Sequence, residues 1–134
     1  MANQKRKSDC PINFALEIFG DKWTFLIVRE LMFKDKHYYG EFLQIEEKIA
    51  TNVLADRLVL LEQSGIVTRT IDDAHNSKKI YKLTKKGIDL LPLLTEAILW
   101  SAKYDKETAA DAKFVRKAKN DRESLFEEIR ESLK

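Results

Sequence analysis

The sequence predicts a mainly α-helical domain carrying one two-stranded β-hairpin. Three observations predict it. Apolar residues recur at helical spacing through residues 11–33, 49–63 and 84–105. Two short runs rich in apolar and β-branched residues, IVTRTI (66–71) and KIYKLT (79–84), flank the turn-forming DDAHNSK. No Ser/Gly/Pro-rich linker divides the 134 residues, enough for one domain with a real core and too few for two of ordinary size.

The elements follow in order. PINFALEIF (11–19) opens on a proline suited to the first helical turn and stops at Gly20. Asp21 is placed to cap the next helix, in which Trp23, Ile27 and Leu31 recur at i, i+4 and i+8, widened by Leu26, Val28 and Met32. A helix this apolar belongs at the centre of a core. After the connector KDKHYYG, the stretch YGEFLQIEEK (39–48) predicts a short helix with Phe42 and Ile45 inward. In IATNVLADRLVLLEQSG (49–65), Leu54, Leu58 and Leu61 form one inward stripe, leaving Asn52, Asp56 and Gln63 on the opposite side. Gly65 closes that helix, because it tolerates positive φ. Thr84 is placed to cap a long final helix over 84–105, kinked at Pro92 and apolar on more sides than one small domain covers. Residues 109–134 carry Phe114, Ala118, Leu125, Phe126, Ile129 and Leu133 on one side among alternating charges, which predicts one or two amphipathic helices. The reading divides the chain into a domain over 1–105 and a C-terminal extension over 106–134.

Helix, tight turn, helix and then a two-stranded ribbon is the arrangement of a winged helix-turn-helix, whose second helix enters the DNA major groove. The leucine stripe leaves Thr51, Asn52, Ala55 and Asp56 to meet base edges. Asn pairs bidentately with adenine, and Asp accepts from the cytosine amino group. Arg57 flanks this face as a candidate phosphate clamp. The net charge of +2 is barely basic, but from Lys78 to Lys86 stand five lysines and no acidic residue. Lys78, Lys79, Lys85 and Lys86, with Arg69, His75 and Asn76, are therefore expected to meet the DNA backbone at the wing and its flanks.

These residues also resemble the HxlR-type helix-turn-helix regulators, a branch of the MarR-like winged-helix proteins. The resemblance covers about residues 10–105. It rests on Cys10-Pro11, Gly20-Asp21-Lys22-Trp23, the run Leu54, Leu58, Leu61-Glu62, Gly65-Ile66-Val67 and Arg69, then Tyr81, Leu83-Thr84, Gly87 and Trp100. Three positions depart from the family pattern. Ile49-Ala50 stands for its Ile-Ser, Tyr38 for the arginine that often precedes the aromatic Tyr39, and Asn76-Ser77-Lys78-Lys79 for a proline-bearing wing. The resemblance implies a sequence-specific transcriptional regulator, acting as a repressor or a ligand- or redox-responsive switch. The expected assembly is a homodimer on a pseudo-palindromic operator, joined through the first helix, the Pro92 helix and the C-terminal tail, with Phe14, Leu94, Ile98 and Trp100 at the interface. It also implies a possible redox or electrophile sensor at Cys10, where a helix N-terminus with Lys5, Arg6 and Lys7 nearby suits a reactive thiol.

Blander readings compete with several of these. Cys10 also reads as a half-buried packing residue, and it has no second cysteine with which to pair inside the chain. His37 and His75 lie in expected loops with no zinc-ligand spacing around them. No phosphate-binding glycine loop or nucleophile–base pairing supports catalysis, and no metal or cofactor is expected. The expected partners are double-stranded DNA, a second copy of the chain and an unidentified small-molecule effector, the last in a cleft near Trp23 and Trp100. A protein-binding winged-helix adaptor is the alternative, favoured by Asp56, Asp72 and Asp73 near the DNA face. A single cysteine fits a reducing cytoplasm, and no apolar run approaches the ~20 residues that span a membrane.

Overall fold

The computed structural model describes residues 6–75 and 77–134. Among them run α1 (Pro11–Phe19), α2 (Trp23–Phe33), α3 (Tyr39–Phe42), α4 (Thr51–Gln63), β1 (Val67–Asp72), β2 (Lys78–Leu83), α5 (Lys85–Ile88), α6 (Leu91–Tyr104), α7 (Ala112–Asn120) and α8 (Arg122–Ser132). β1 and β2 pair antiparallel in a register running from Val67 opposite Leu83 to Asp72 opposite Lys78. A 3₁₀ turn, Asp73–His75, begins the tip between them. The connector read as loop adds a third edge: Tyr81 N donates to His37 O at 2.8 Å, and Tyr38 bridges Ile80 on the far side of β2.

The core forms around α2, whose Ile27, Val28 and Leu31 are buried against Phe42, Ile66, Tyr81 and Leu91. Leu54, Leu58 and Leu61 are buried as one stripe, while Asn52, Asp56 and Gln63 face solvent. Gly65 ends α4 at φ 76°. Ile66 N donates to Leu61 O and Gly65 N to Glu62 O, so the last helical carbonyls are satisfied by a Schellman turn. Thr84 caps α5 by accepting from Gly87 N, and its hydroxyl donates to Gly65 O at 2.5 Å. At Gly87 a Cβ would stand 2.3 Å from Ile66 O, so only glycine lets α5 approach the end of α4 so closely.

Three expectations change. The helix over 39–48 is a single turn, α3, after which the chain winds irregularly to Ile49 while still burying Ile45. Lys48 there sits at φ 61°, a left-handed conformation that costs an L-residue roughly 1–2 kcal/mol. Arg29 of α2 holds the neighbouring Glu47 bidentately, with both N···O distances 2.8 Å, and so clamps this turn onto the core. The long final helix is two helices. Proline lacks an N–H, and its ring would collide with the carbonyl of Ile88, so α5 stops there and Pro92 takes the second position of α6. Leu94, expected at a dimer interface, faces inward at 7% exposure, because α6 turns Leu91, Leu94 and Thr95 toward the core.

The C-terminal extension forms two helices that fold back on their own domain. Phe114 of α7 meets Phe33 of α2 edge-on with ring centroids 5.8 Å apart, and Ala118, Leu125 and Phe126 are buried. Arg122 ties α8 to Glu96 of α6 at 2.7 Å.

The Arg29 hydrogen bonds, against the opposing cost of burial, hold the Glu47 carboxyl down to about 2 from its ordinary 4.5. A depressed folded-state value means that this contribution to stability is present above about pH 4.5 and disappears as pH falls toward 2. Glu47→Gln is therefore expected to destabilise the protein at neutral pH by roughly 1.5–3 kcal/mol, the scale of hydrogen bonds to charged groups. Thermal melts of both proteins across acid pH should converge as Glu47 protonates; a constant difference would contradict the clamp.

Candidate nucleic-acid interface

The helix expected to read DNA is α4, and Asp21 sets its position. One Asp21 oxygen, Oδ2, accepts from Trp23 N at 2.7 Å and Thr24 N at 3.1 Å, capping α2, while Oδ1 accepts from the Thr24 hydroxyl. Oδ2 also accepts from Arg57 Nε of α4 at 3.0 Å. Burial pushes the Asp21 carboxyl up, but the donors from Trp23, Thr24 and Arg57 outweigh it and keep the group below its usual range. Arg57 further donates to Asp56, so the guanidinium expected to clamp a phosphate is committed to two carboxylates of its own chain. Its place in the fold is that of a strut between α2 and α4.

Thr51, Asn52, Ala55 and Asp56 are all exposed on the outer face of α4. Ala50 precedes the helix without a side-chain cap, so the hydroxyl missing from the family pattern is not replaced by Thr51. Instead Tyr39 of α3 donates to Thr51 O at 3.1 Å and fixes the helix start against the preceding turn. Val59, 51% exposed, extends the Ala55 side of this face by one turn. The sequence reading stopped at Arg57 and missed it, although its position off the leucine stripe was the available signal.

A groove of about 900 Å³ runs between α4, α3 and the hairpin, lined by Ala55, Val59, Glu62, Tyr39, Arg69, Lys79 and Tyr81 among others. Trp23 and Trp100 do not line it. Trp23 is half-buried with Lys22 over its ring, and Trp100 is 67% exposed on α6.

The cationic residues divide into engaged and open ones. Arg69 Nε lies 3.7 Å from Glu62, Lys86 donates to Ser64 O at 2.7 Å, and Lys85 lies 3.6 Å from Asp89. Lys79 is exposed and makes no ion pair among the described residues. Lys78 lies 5.9 Å over the Tyr38 ring. His75, at the wing tip, has Nδ1 2.7 Å from Asp72 Oδ2. Asn76 lies outside the described residues. Cys10 is exposed at the N-cap of α1, not half-buried.

Residues 18–109, from α1 through the wing and beyond the end of α6, match the family described as HxlR-like helix-turn-helix. The chain belongs to that family. Over 96 residues it is 33% identical to the HTH-type transcriptional regulator YodB of Bacillus subtilis, covering 71% of this chain and 85% of YodB. An HTH-type regulator of Synechocystis is 33% identical over 85 residues, 63% of this chain and 62% of the relative's length. The reduced form of YodB superposes with a TM-score of 0.62 at 31% identity, over 75% of this chain and 99% of that one. The reduced form of the redox regulator HypR gives 0.63 at 28% identity, over 70% and 92%. This HxlR-like chain is thus a winged-helix transcriptional regulator with a DNA-binding fold, built on the same scaffold as its relatives.

Proposed function

We propose that this regulator works as a homodimer whose two α4 helices read the half-sites of a pseudo-palindromic operator in successive major grooves, about 34–36 Å apart or a multiple of that. The observation that carries the proposal is the apolar surface left uncovered on α1 and α6. Ile12 and Leu16 of α1 are 70% and 58% exposed, and Phe14 47%. On α6, Leu93, Trp100 and Tyr104 are 47%, 67% and 65% exposed on one helical side, and the tilted Trp100 and Tyr104 rings lie with centroids 5.4 Å apart. Clustered aromatic and aliphatic surface of this kind marks an interface. Ile98 is half-buried beside it.

On the DNA, Asn52 and its exposed neighbours read bases, with Val59 and Ala55 available to a thymine methyl. Lys79 and the other wing cations contact phosphates and position the protein. Binding then falls steeply with salt as counterions are released. The adaptor alternative loses weight because two of the three acidic groups that favoured it are internally paired, Asp56 with Arg57 and Asp72 with Tyr38 and His75, while Asp73 is exposed.

The proposed function includes a switch. YodB has been solved in reduced, diamide-treated and quinone-bound forms, and HypR in reduced and oxidised forms. Here Cys10 is exposed at the head of α1, beside the proposed dimer surface. Its modification by an electrophile, or its oxidation to a disulfide with the partner's thiol, would bear on how the two α4 helices are spaced.

Titration of a fragment carrying the protein's own upstream region against random duplex tests the division of labour. Asn52→Ala is expected to reduce the preference for the specific fragment by about 1–3 kcal/mol, whereas Lys79→Ala weakens both DNAs alike and lowers the salt slope by about 1. Equal losses from both variants on both DNAs would contradict it. In sedimentation, the wild type should run as a dimer and Trp100→Glu as a monomer; a monomeric wild type would sink the assembly. Diamide or a quinone should change DNA binding by the wild type and leave Cys10→Ser unaffected, and equal responses would remove Cys10 from the switch.

A further inference from the structure

The wing of this protein is weakly packed toward its tip. After Val67, β1 exposes Thr68, Arg69, Thr70 and Ile71, and Ile71 is 54% exposed. A two-stranded hairpin is marginal by itself, and among the described residues of β1 beyond Val67 none is buried. What reaches the tip is Tyr38. Its backbone is fixed twice, by the bridge to Ile80 and by Glu41 at the start of α3, whose Oε1 accepts from Tyr38 N at 3.0 Å and His37 N at 2.8 Å. From that anchor the Tyr38 hydroxyl donates to Asp72 Oδ2 at 2.5 Å.

Asp72 occupies the last paired position of β1, directly opposite Lys78. A bare carboxylate there would repel an approaching phosphate and compete for the Lys78 ammonium. It is instead satisfied inside the wing. Oδ2 also faces His75 Nδ1 at 2.7 Å, and Oδ1 accepts from Ala74 N at 3.1 Å. The hydroxyl of Tyr38, foremost, and then His75 hold the Asp72 carboxyl below its ordinary range. The Tyr38 ring meets the His75 ring edge-on at 6.1 Å and lies under Lys78.

We propose that Tyr38 is a positioning residue for DNA binding: its hydroxyl bond to Asp72 latches the wing tip to the helix-turn-helix and holds the lysines of β2 in their phosphate-contacting pose. This rests on the reading that the wing contacts DNA. Tyr38 touches no DNA in this scheme and carries no base specificity; it acts through the placement of Lys78 and Lys79. An arginine, which often stands here in the family pattern, could not leave the same arrangement unchanged, since it brings a charge to Asp72 in place of a neutral hydroxyl.

The test uses the full chain as wild type, Tyr38→Phe, Asp72→Ala, the double variant and Lys79→Ala. Phenylalanine keeps the ring and removes only the hydroxyl, so the melting temperature should stay within about 4 °C of wild type. Amide hydrogen exchange of residues 72–80 in the DNA-free protein should quicken by about tenfold in Tyr38→Phe, while the core amides of α2 stay protected. Affinity for a random-sequence duplex should fall by roughly threefold to tenfold, with the preference for the upstream fragment unchanged. In the Asp72→Ala background, Tyr38→Phe should add nothing to either measurement. Unchanged exchange, or equal loosening with and without Asp72, overturns the latch. If Lys79→Ala weakens duplex binding and Tyr38→Phe does not, this inference fails alone. If neither weakens it, the wing's role in DNA binding fails, and the inference fails with it.

Discussion

The carboxylate of Asp21 is the constraint on which the DNA-facing half of the molecule depends. It satisfies two orphan N–H groups at the start of α2 and, on the same oxygen, receives the guanidinium of the recognition helix. A group half removed from water and holding an ion pair is costly to strand, because the surviving partner keeps its desolvation penalty. The most buried helix of the core and the proposed recognition helix therefore share one polar joint. The remaining supports are arranged around it. Arg29 clamps the turn before α4, Tyr39 pins the first residue of α4, and the Schellman turn at Gly65 closes the other end.

This joint also lies at the junction between α1 and α2. Asp21 is adjacent to Gly20, which ends the helix that bears Cys10 and much of the uncovered apolar surface. Should Cys10 act as the proposed sensor, a connected element that both ends bias is required, and Gly20, Asp21 and one ion pair are what join α1 to α4.

The parts of the fold that were legible in the sequence are those governed by local rules. The spacing of Leu54, Leu58 and Leu61 dictates a buried stripe whatever surrounds it, and Gly65 and Thr84 announce helix ends through backbone geometry and a short-range hydroxyl. Pro92 was legible as a breaker, but periodicity continues across it, so whether it kinks one helix or begins a second is decided by where the chain packs. The brevity of α3 was hidden for the same reason: Phe42 and Ile45 bury equally well from a helix or from a winding turn. At the candidate site, exposure was legible and engagement was not. Arg57 and Lys86 read as available surface groups, and nothing local gives Tyr38 a partner. Their partners Asp21, Ser64 and Asp72 lie 36, 22 and 34 residues away, and no local pattern reports them.

Gly65 has a consequence for how such a protein changes its reach on DNA. Between the last turn of α4 and the first residue of β1 there is no slack, and Thr84 bolts the returning strand to the same point through Gly65 O. The reading helix and the base of the ribbon are thus one rigid piece, like a hand whose thumb joint is fused. Added length is more readily taken up beyond the last paired residues, Asp72 and Lys78, than at this fused base. In the proposed binding mode, residues added there would extend the contact outward along the flanking duplex while the angle of α4 stayed the same, letting footprint length and base preference vary separately.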